Sequence, residues 1–214
     1  MKSAQEALNS LRTGNRRFAK GSGGGAVASL LRRTELAEGQ APFAVILGCS
    51  DSRVPAEIVF DQGLGDLFVI RVAGNIVAPS QIGSVEFAVE RFGTPLVVVL
   101  GHSRCGAVLA TLDELDRPTE RQSRNLMSIV DRVRPSVEAL LATGLRDDPA
   151  ALVAQAVRAN VRASVGQLRH GSEILEQCVQ DGRLVVVGAE YSLETGIVEF
   201  FDVPQKGAGG GGRK

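Results

Sequence analysis

Four short, almost continuously apolar runs set the fold of this chain: Phe43–Leu47, Leu67–Ala73, Leu96–Leu100 and Leu184–Val187, all rich in valine or isoleucine. A strand with one wet face alternates polar and apolar residues, whereas a run without that alternation is how a strand covered on both faces reads. The intervals between the runs carry helical spacing instead. Ile82, Val85, Val89 and Phe92 form one stripe, Leu126, Ile129, Val133 and Val137 a second, and Val153, Val157, Val161 and Val165 a third. Strands alternating with helices predict an α/β fold with a mainly parallel central sheet flanked by helices. Ile197–Phe201, after a turn at Glu194-Thr195-Gly196, is expected to add an edge strand near the C-terminus, and Pro135 to kink or divide the helix of the second stripe.

Ser3 as N-cap, with Leu8, Leu11 and Phe18 on one face, predicts a first helix over residues 3–19, and a second follows over Val27–Glu38. Residues 1–39 thus read as an N-terminal helical arm on a single domain spanning 1–205, with a flexible break at Ser22–Gly25. The glycine-rich tail, 206–214, has nothing to bury and is expected to be disordered. A length of 214 residues suits one domain with appended helix. Lys plus Arg total 24 and Asp plus Glu total 24, so the basic excess of a nucleic-acid binder is missing. No apolar run approaches the ~20 residues of a membrane span. Residues 1–14 lack the apolar core of an export signal, which points to the cytoplasm. In that reducing setting the three cysteines suggest metal or catalysis rather than disulfides.

Two clusters carry the chemistry, and each follows directly on a buried run: Cys49-Ser50-Asp51-Ser52-Arg53 and His102-Ser103-Arg104-Cys105-Gly106. In open parallel sheets ligands bind at the carboxyl ends of the strands, so two neighbouring strands would bring Cys49, His102 and Cys105 together there. Two thiolates and an imidazole suit zinc, and three protein ligands leave one tetrahedral position open, the mark of a catalytic site. A zinc ion so placed acidifies a bound water. Two thiolates cancel its charge and weaken that effect, which makes a hydrogen-bond acceptor useful. Asp51 is placed to be that acceptor, and Arg53 to hold the Asp51 carboxylate ionised and aimed. Two other readings of the same residues stay open. Cys49 or Cys105 could be a nucleophile with His102 as base, although Arg53 stands only four residues from Cys49, short of the phosphatase-like C-x-x-x-x-x-R spacing. Alternatively Cys178 could close a four-ligand structural site, but Ile174, Leu175, Cys178 and Val179 share one helix face and read as core. His170 reads as an exposed helix-end residue. No phosphate-binding loop is present.

The sequence C-S-D-S-R followed about fifty residues later by H-x-x-C-G resembles the β-class carbonic anhydrases, over nearly the whole chain from the first helix to Val185–Ala189. The resemblance implies one Zn2+ per chain on Cys49, His102 and Cys105, an Asp51–Arg53 dyad, and reversible hydration of carbon dioxide to bicarbonate and a proton by zinc-bound hydroxide. It also implies a substrate cleft at a dimer interface, in a homodimer or homotetramer. Gln40 matches a substrate-binding glutamine, and Phe68 and Phe87 match aromatic wall positions, with Phe87 where plant enzymes tend to have tyrosine. Ala73 stands where those enzymes have valine. Some members have a bicarbonate-regulated inactive form built on a tryptophan, an arginine and a tyrosine. Here Ile46 takes the tryptophan position while Arg71 and Tyr191 match the other two, so the plant-like form is expected.

Overall fold

The structure, a computed structural model, describes residues 2–24, 30–117 and 123–203. Five strands, β1 (Ala44–Gly48), β2 (Leu67–Arg71), β3 (Leu96–His102), β4 (Val185–Tyr191) and β5 (Val198–Phe201), form one sheet in the order β2-β1-β3-β4-β5. β2, β1, β3 and β4 run parallel, and β5 closes the far edge antiparallel to β4. The expected α/β architecture and its C-terminal edge strand are thus present. Chain order leaves β1 toward β2 on one side and places β3 on the other, so the point where the winding reverses lies between β1 and β3. That switch point is where an open parallel sheet opens a crevice.

The unbroken apolar runs have the expected cause. Along β1, Ala44 and Ile46 face one apolar cluster while Val45 and Leu47 face another; along β3, Leu96, Val98 and Leu100 alternate in the same way with Val97 and Val99. Among the described residues there are eight α-helices: α1 (Ala4–Ala19), α2 (Leu30–Ala37), α3 (Ala56–Val59), α4 (Pro79–Phe92), α5 (Gly106–Asp116), α6 (Arg124–Val137), α7 (Pro149–His170) and α8 (Glu173–Gln180). The first face packs on α1 through Ala7, Leu8 and Leu11 and on α3 through Val59. The second packs on α4, α7 and α8 through Val85, Val89, Val161, Val165 and Leu175. A third cluster joins α5, α6 and the first half of α7 around Cys49 and Cys105.

Several expectations shift. The second run ends as a strand at Arg71, and Ala73 begins a 3-10 turn, Ala73–Asn75, in which Gly74 has φ 70° and Asn75 φ 44°. The helix of the second stripe is not divided at Pro135; it continues to Val137 and then tightens into a 3-10 turn over Glu138–Ala142. Leu126, in its first turn, remains 46% exposed rather than joining the core. Helix α2 begins at Leu30, and the earlier part of its expected span, 27–29, lies outside the described residues, as does the tail 206–214. Ser22–Gly24 is exposed and carries no regular structure, and Gly25 is outside the described residues.

Helix α1 has the predicted Ser3 cap, completed by Glu6 in a reciprocal capping box. It is fastened at its other end by Asn15, which is 4% exposed. The Asn15 amide donates to the carbonyls of Val59 (3.1 Å) and Gly196 (2.9 Å), and its Oδ1 accepts from the N–H of Val198 (2.8 Å). Asn15→Ala removes all three bonds and leaves buried backbone groups unpaired, so it is expected to cost about 1–3 kcal/mol. Urea unfolding of the variant checks this through a lower midpoint at unchanged slope.

Candidate metal centre

The register of the sheet assembles the centre. Gly48 at the end of β1 lies beside Leu100 of β3, so Cys49 emerges next to Gly101 and one residue short of His102. Gly101 matters here because a Cβ at this position would stand 2.6 Å from Cγ2 of Val161, so α7 can lie close against the end of β3 only if residue 101 is glycine. From the other side the 3-10 turn after β2 brings the Gly74 N–H to the Cys49 sulfur at 3.4 Å. That turn needs a residue free to adopt positive φ, and it is pinned from α7 by Asn160 Nδ2, which donates to the Gly74 carbonyl at 2.7 Å, and by the Ser164 hydroxyl, which donates to the Asn75 carbonyl at 3.0 Å.

Cys49, His102 and Cys105 are all buried, and one donor atom from each lies within 4.8 Å of the others. The two sulfurs are 4.0 Å apart. His102 Nδ1 is 2.9 Å from the Ser103 carbonyl, which can only accept, so Nδ1 carries the proton and Nε2 keeps its lone pair. His102 Nε2 and Asn75 Nδ2 are the buried side-chain nitrogens without a hydrogen-bond partner among the described residues. An imidazole lone pair that is sealed from water and aimed at two thiols needs a partner. The thiols need one too. The hydrogen bond from Cys105 holds the Cys49 thiol well below its ordinary value against the cost of burial, with help from the Gly74 N–H. The same hydrogen bond, together with burial, pushes Cys105 far up. Two neighbouring buried sulfurs cannot both ionise unless a cation stands between them. A divalent transition metal accepting soft sulfur and nitrogen ligands resolves both problems, so these residues fit a metal.

Asp51 and Arg53 sit at the mouth of this group. Arg53 grips the Asp51 carboxylate with Nε on Oδ1 (2.9 Å) and Nη2 on Oδ2 (2.7 Å), and its backbone N–H adds a third bond to Oδ1 (3.0 Å). The hydrogen bond from the Arg53 side chain, working against partial burial, holds the Asp51 carboxyl well below the usual carboxylate range. Asp51 Oδ2 lies 3.8 Å from His102 Nε2, and Asp51 is not one of the three grouped donors. The turn carrying both residues is braced by Arg71 at the end of β2, which donates to the carbonyls of Cys49 (3.1 Å) and Asp51 (2.6 Å). This bracing role is not visible in sequence, because it is addressed to backbone oxygens. Tyr191 and Ile46, aligned above with Arg71, are buried in the core on the α1 face of the sheet.

The expected cleft residues are only partly gathered. The rings of Phe68 and Phe87 stand 6.2 Å apart and form an aromatic group with Phe92, a residue that the helical stripe alone marks only as apolar. Phe87 remains 52% exposed on α4. Ala73 opens the turn that reaches Cys49. Gln40 is exposed on the segment before β1 and shares no hydrogen bond with the described residues. Cys178 lies apart from the metal group in the core beside Val89, Leu175 and Leu184, which removes it as a fourth ligand. His170 ends α7 on the surface, paired with Glu176 at 3.2 Å.

Known proteins resemble this chain over most of its length. The sequence profile of the carbonic anhydrase family matches residues 44–198. A carbonic anhydrase of Mycolicibacterium smegmatis is 42% identical over 194 residues, covering 91% of each chain. Carbonic anhydrase 2 of Mycobacterium tuberculosis is 42% identical over 190 residues, covering 89% of each. Among solved structures, a tetrameric β-carbonic anhydrase from the ascomycete Sordaria macrospora superposes with a TM-score of 0.72 at 26% identity, covering 92% of this chain and 96% of its own.

The Asp51–Arg53 pair gives a pH dependence of definite sign. A carboxyl whose pKa is lowered by folding stabilises the fold above its ordinary value and loses that contribution only as pH falls. The 13Cγ resonance of Asp51 is therefore expected to hold its ionised position down through pH 3.8, and Arg53→Ala to bring its midpoint up toward that ordinary value. Identical titrations in the two proteins would contradict the assigned cause.

Proposed function

The chain belongs to the β-class carbonic anhydrase family, and from that premise we propose that it catalyses the zinc-dependent, reversible hydration of carbon dioxide to bicarbonate and a proton. The observation that carries the reading is the buried, unpartnered Nε2 of His102 converging with the sulfurs of Cys49 and Cys105 beneath an arginine-held carboxylate. Cys49, His102 and Cys105 would hold one zinc ion as two thiolates and a neutral imidazole. Bound there, zinc supplies a Lewis acid that polarises water for attack on carbon dioxide near neutral pH.

The remaining work falls to the chain's own groups. Asp51 Oδ2 accepts a hydrogen bond from the attacking oxygen and so fixes its orientation. Arg53 holds both carboxylate oxygens and keeps Asp51 an ionised acceptor throughout, because a carboxyl depressed this far does not retain a proton at neutral pH. The proton released by the water passes to solvent or buffer. Phe68, Phe87 and Ala73 give the substrate an apolar wall, which suits a nonpolar gas, and Gln40 offers the amide that hydrogen-bonds it. The half-exposed Phe87 and the exposed Gln40 support a cleft completed by a second copy of the chain, in a homodimer or homotetramer. The bidentate hold of Arg53 on Asp51 supports the plant-like form, in which the aspartate stays off the metal. A cytoplasmic setting keeps Cys49 and Cys105 reduced for zinc. No helix among the described residues is long and apolar enough to cross a membrane.

A second reading, a cysteine nucleophile, draws on the depressed Cys49 thiol. It differs in one respect: iodoacetamide would inactivate the zinc-loaded protein, whereas coordinated thiolates resist alkylation.

Stopped-flow carbon dioxide hydration on zinc-quantified protein tests the proposal. Activity is expected to scale with bound zinc. Asp51→Ala should retain zinc and lose at least ~100-fold in turnover, the lower range for a positioned proton acceptor. Cys49→Ser should lose zinc. Stoichiometric zinc without hydration at any pH would overturn the reading.

A further inference from the structure

We propose that Glu194, in the turn between β4 and β5, is a positioning residue for the metal centre: it holds the two residues between His102 and Cys105 so that the Ser103 carbonyl aims the His102 ring. The proposal rests on the metal-site reading above and adds to it a residue that never touches the metal.

The argument begins with what aims His102. Its Nδ1–H has one partner, the carbonyl of Ser103, so the direction of Nε2 is set by the orientation of a single peptide group. The residue that carries this carbonyl is held through both its backbone N–H and its hydroxyl by the end of β4 and the turn beyond it. The Ser103 N–H donates to the Tyr191 carbonyl at 2.9 Å, and the Ser103 hydroxyl accepts from the Leu193 N–H at 3.0 Å. The hydroxyl then donates to Glu194 Oε2 at 2.8 Å. The next residue, Arg104, has φ 55°, a left-handed conformation that side-chain-bearing residues other than Asn and Asp seldom adopt. The other non-glycine residues with positive φ, Asp61, Asn75 and Asp202, all have such short polar side chains. Arg104 is held there by the same carboxylate, with Nε 2.9 Å from Glu194 Oε1.

One carboxylate therefore grips both intervening residues of the H-x-x-C segment, one per oxygen. It is itself steadied by the Ser192 hydroxyl, which donates to Oε2 at 3.2 Å. Each bond is half in water and weak alone, since the Glu194 side chain is 44% and the Arg104 side chain 73% exposed. Their effect comes from acting on a two-residue span anchored at both ends by ligands, where a small rotation of Ser103 becomes a rotation of the imidazole.

The test uses the full, zinc-loaded protein and reads three quantities: the rate of zinc release to a chromogenic chelator, the visible spectrum of the cobalt(II)-substituted form, and the thermal midpoint. Glu194→Ala and Ser103→Ala are each expected to speed zinc release about tenfold, the low end of what losing an outer partner of a metal ligand costs. Each should also shift the cobalt bands. The double variant should release zinc more slowly than the product of the two single effects, because the Ser103–Glu194 hydrogen bond is shared and can be lost only once. Glu194→Gln still accepts from the Ser103 hydroxyl but loses the pair with Arg104, and its release rate should fall between those of the parent and Glu194→Ala. The proposal is overturned if Glu194→Ala keeps the parental release rate and cobalt spectrum, even with a lowered midpoint, since the residue would then serve stability alone. It is equally overturned if the two single effects multiply in the double variant, or if Glu194→Gln is as impaired as Glu194→Ala. A parent that binds zinc but does not hydrate carbon dioxide sinks the enzymatic reading and leaves the release comparison intact. A parent that binds no zinc overturns both.

Discussion

The parallel pairing of β1 with β3 is the constraint from which the rest follows. It places the residue after Gly48 beside the penultimate residue of β3, and so makes neighbours of two segments separated by about fifty positions. A slip of one residue would turn every side chain of either strand to the opposite face. In most sheets a wet face forbids such a slip, but both faces of these strands are apolar and either phase would bury valine and leucine. The register is defended by shape instead. Gly101 admits α7 at a distance no other residue allows, and Gly74 seats its N–H on the Cys49 sulfur.

That geometry creates a site divided into a dry half and a wet half. The donor atoms of Cys49, His102 and Cys105 are shut away from water, where two thiols and a bare imidazole nitrogen are unfavourable unless a cation gathers them. Asp51 and Arg53 stand at the boundary, the carboxylate nearly covered and the guanidinium half in solvent. Burial alone would favour the neutral acid, and the guanidinium reverses that preference. The partition explains why the carboxylate needs its own cation even though a metal would lie close by: a formally neutral complex of one dication with two thiolates lends little field to its neighbours.

Much of this was legible in the sequence because it rests on periodicity and on side-chain chemistry. The unbroken valine runs forecast strands covered on both faces, and the C-S-D-S-R and H-x-x-C segments forecast donors at two strand ends. What stayed hidden is addressed to the backbone. Arg71 reads as a charged residue in an apolar run, yet its partners are the carbonyls of Cys49 and Asp51, which leave no trace in residue identity. The turn at Ala73–Asn75 reads in sequence as part of the preceding strand because Val72 and Ala73 continue its apolar pattern, and only the Gly74-Asn75 pair signals the reversal. Pro135 does not divide its helix, which is anchored on either side of it by Val133 and Val137 in the third cluster. Helices α3 and α5 lack a long stripe of their own and follow from the turns that precede them.

Asn15 bears on the order in which the molecule can be made. Its side chain joins the first helix to Gly196 and Val198, across 181 and 183 positions of sequence. Contacts of such separation form late, because the chain must close a long loop before they yield anything. During synthesis α1 therefore leaves the ribosome with an apolar face and no seat. It finds part of that seat once β1 and α3 have followed, through Leu8, Leu11 and the Asn15 bond to Val59, but the bonds to Gly196 and Val198 wait until the β4–β5 turn has been added. The helix is thus locked in two stages, and before the first of them Leu8 and Leu11 are surfaces for chaperones or for a neighbouring nascent chain to find.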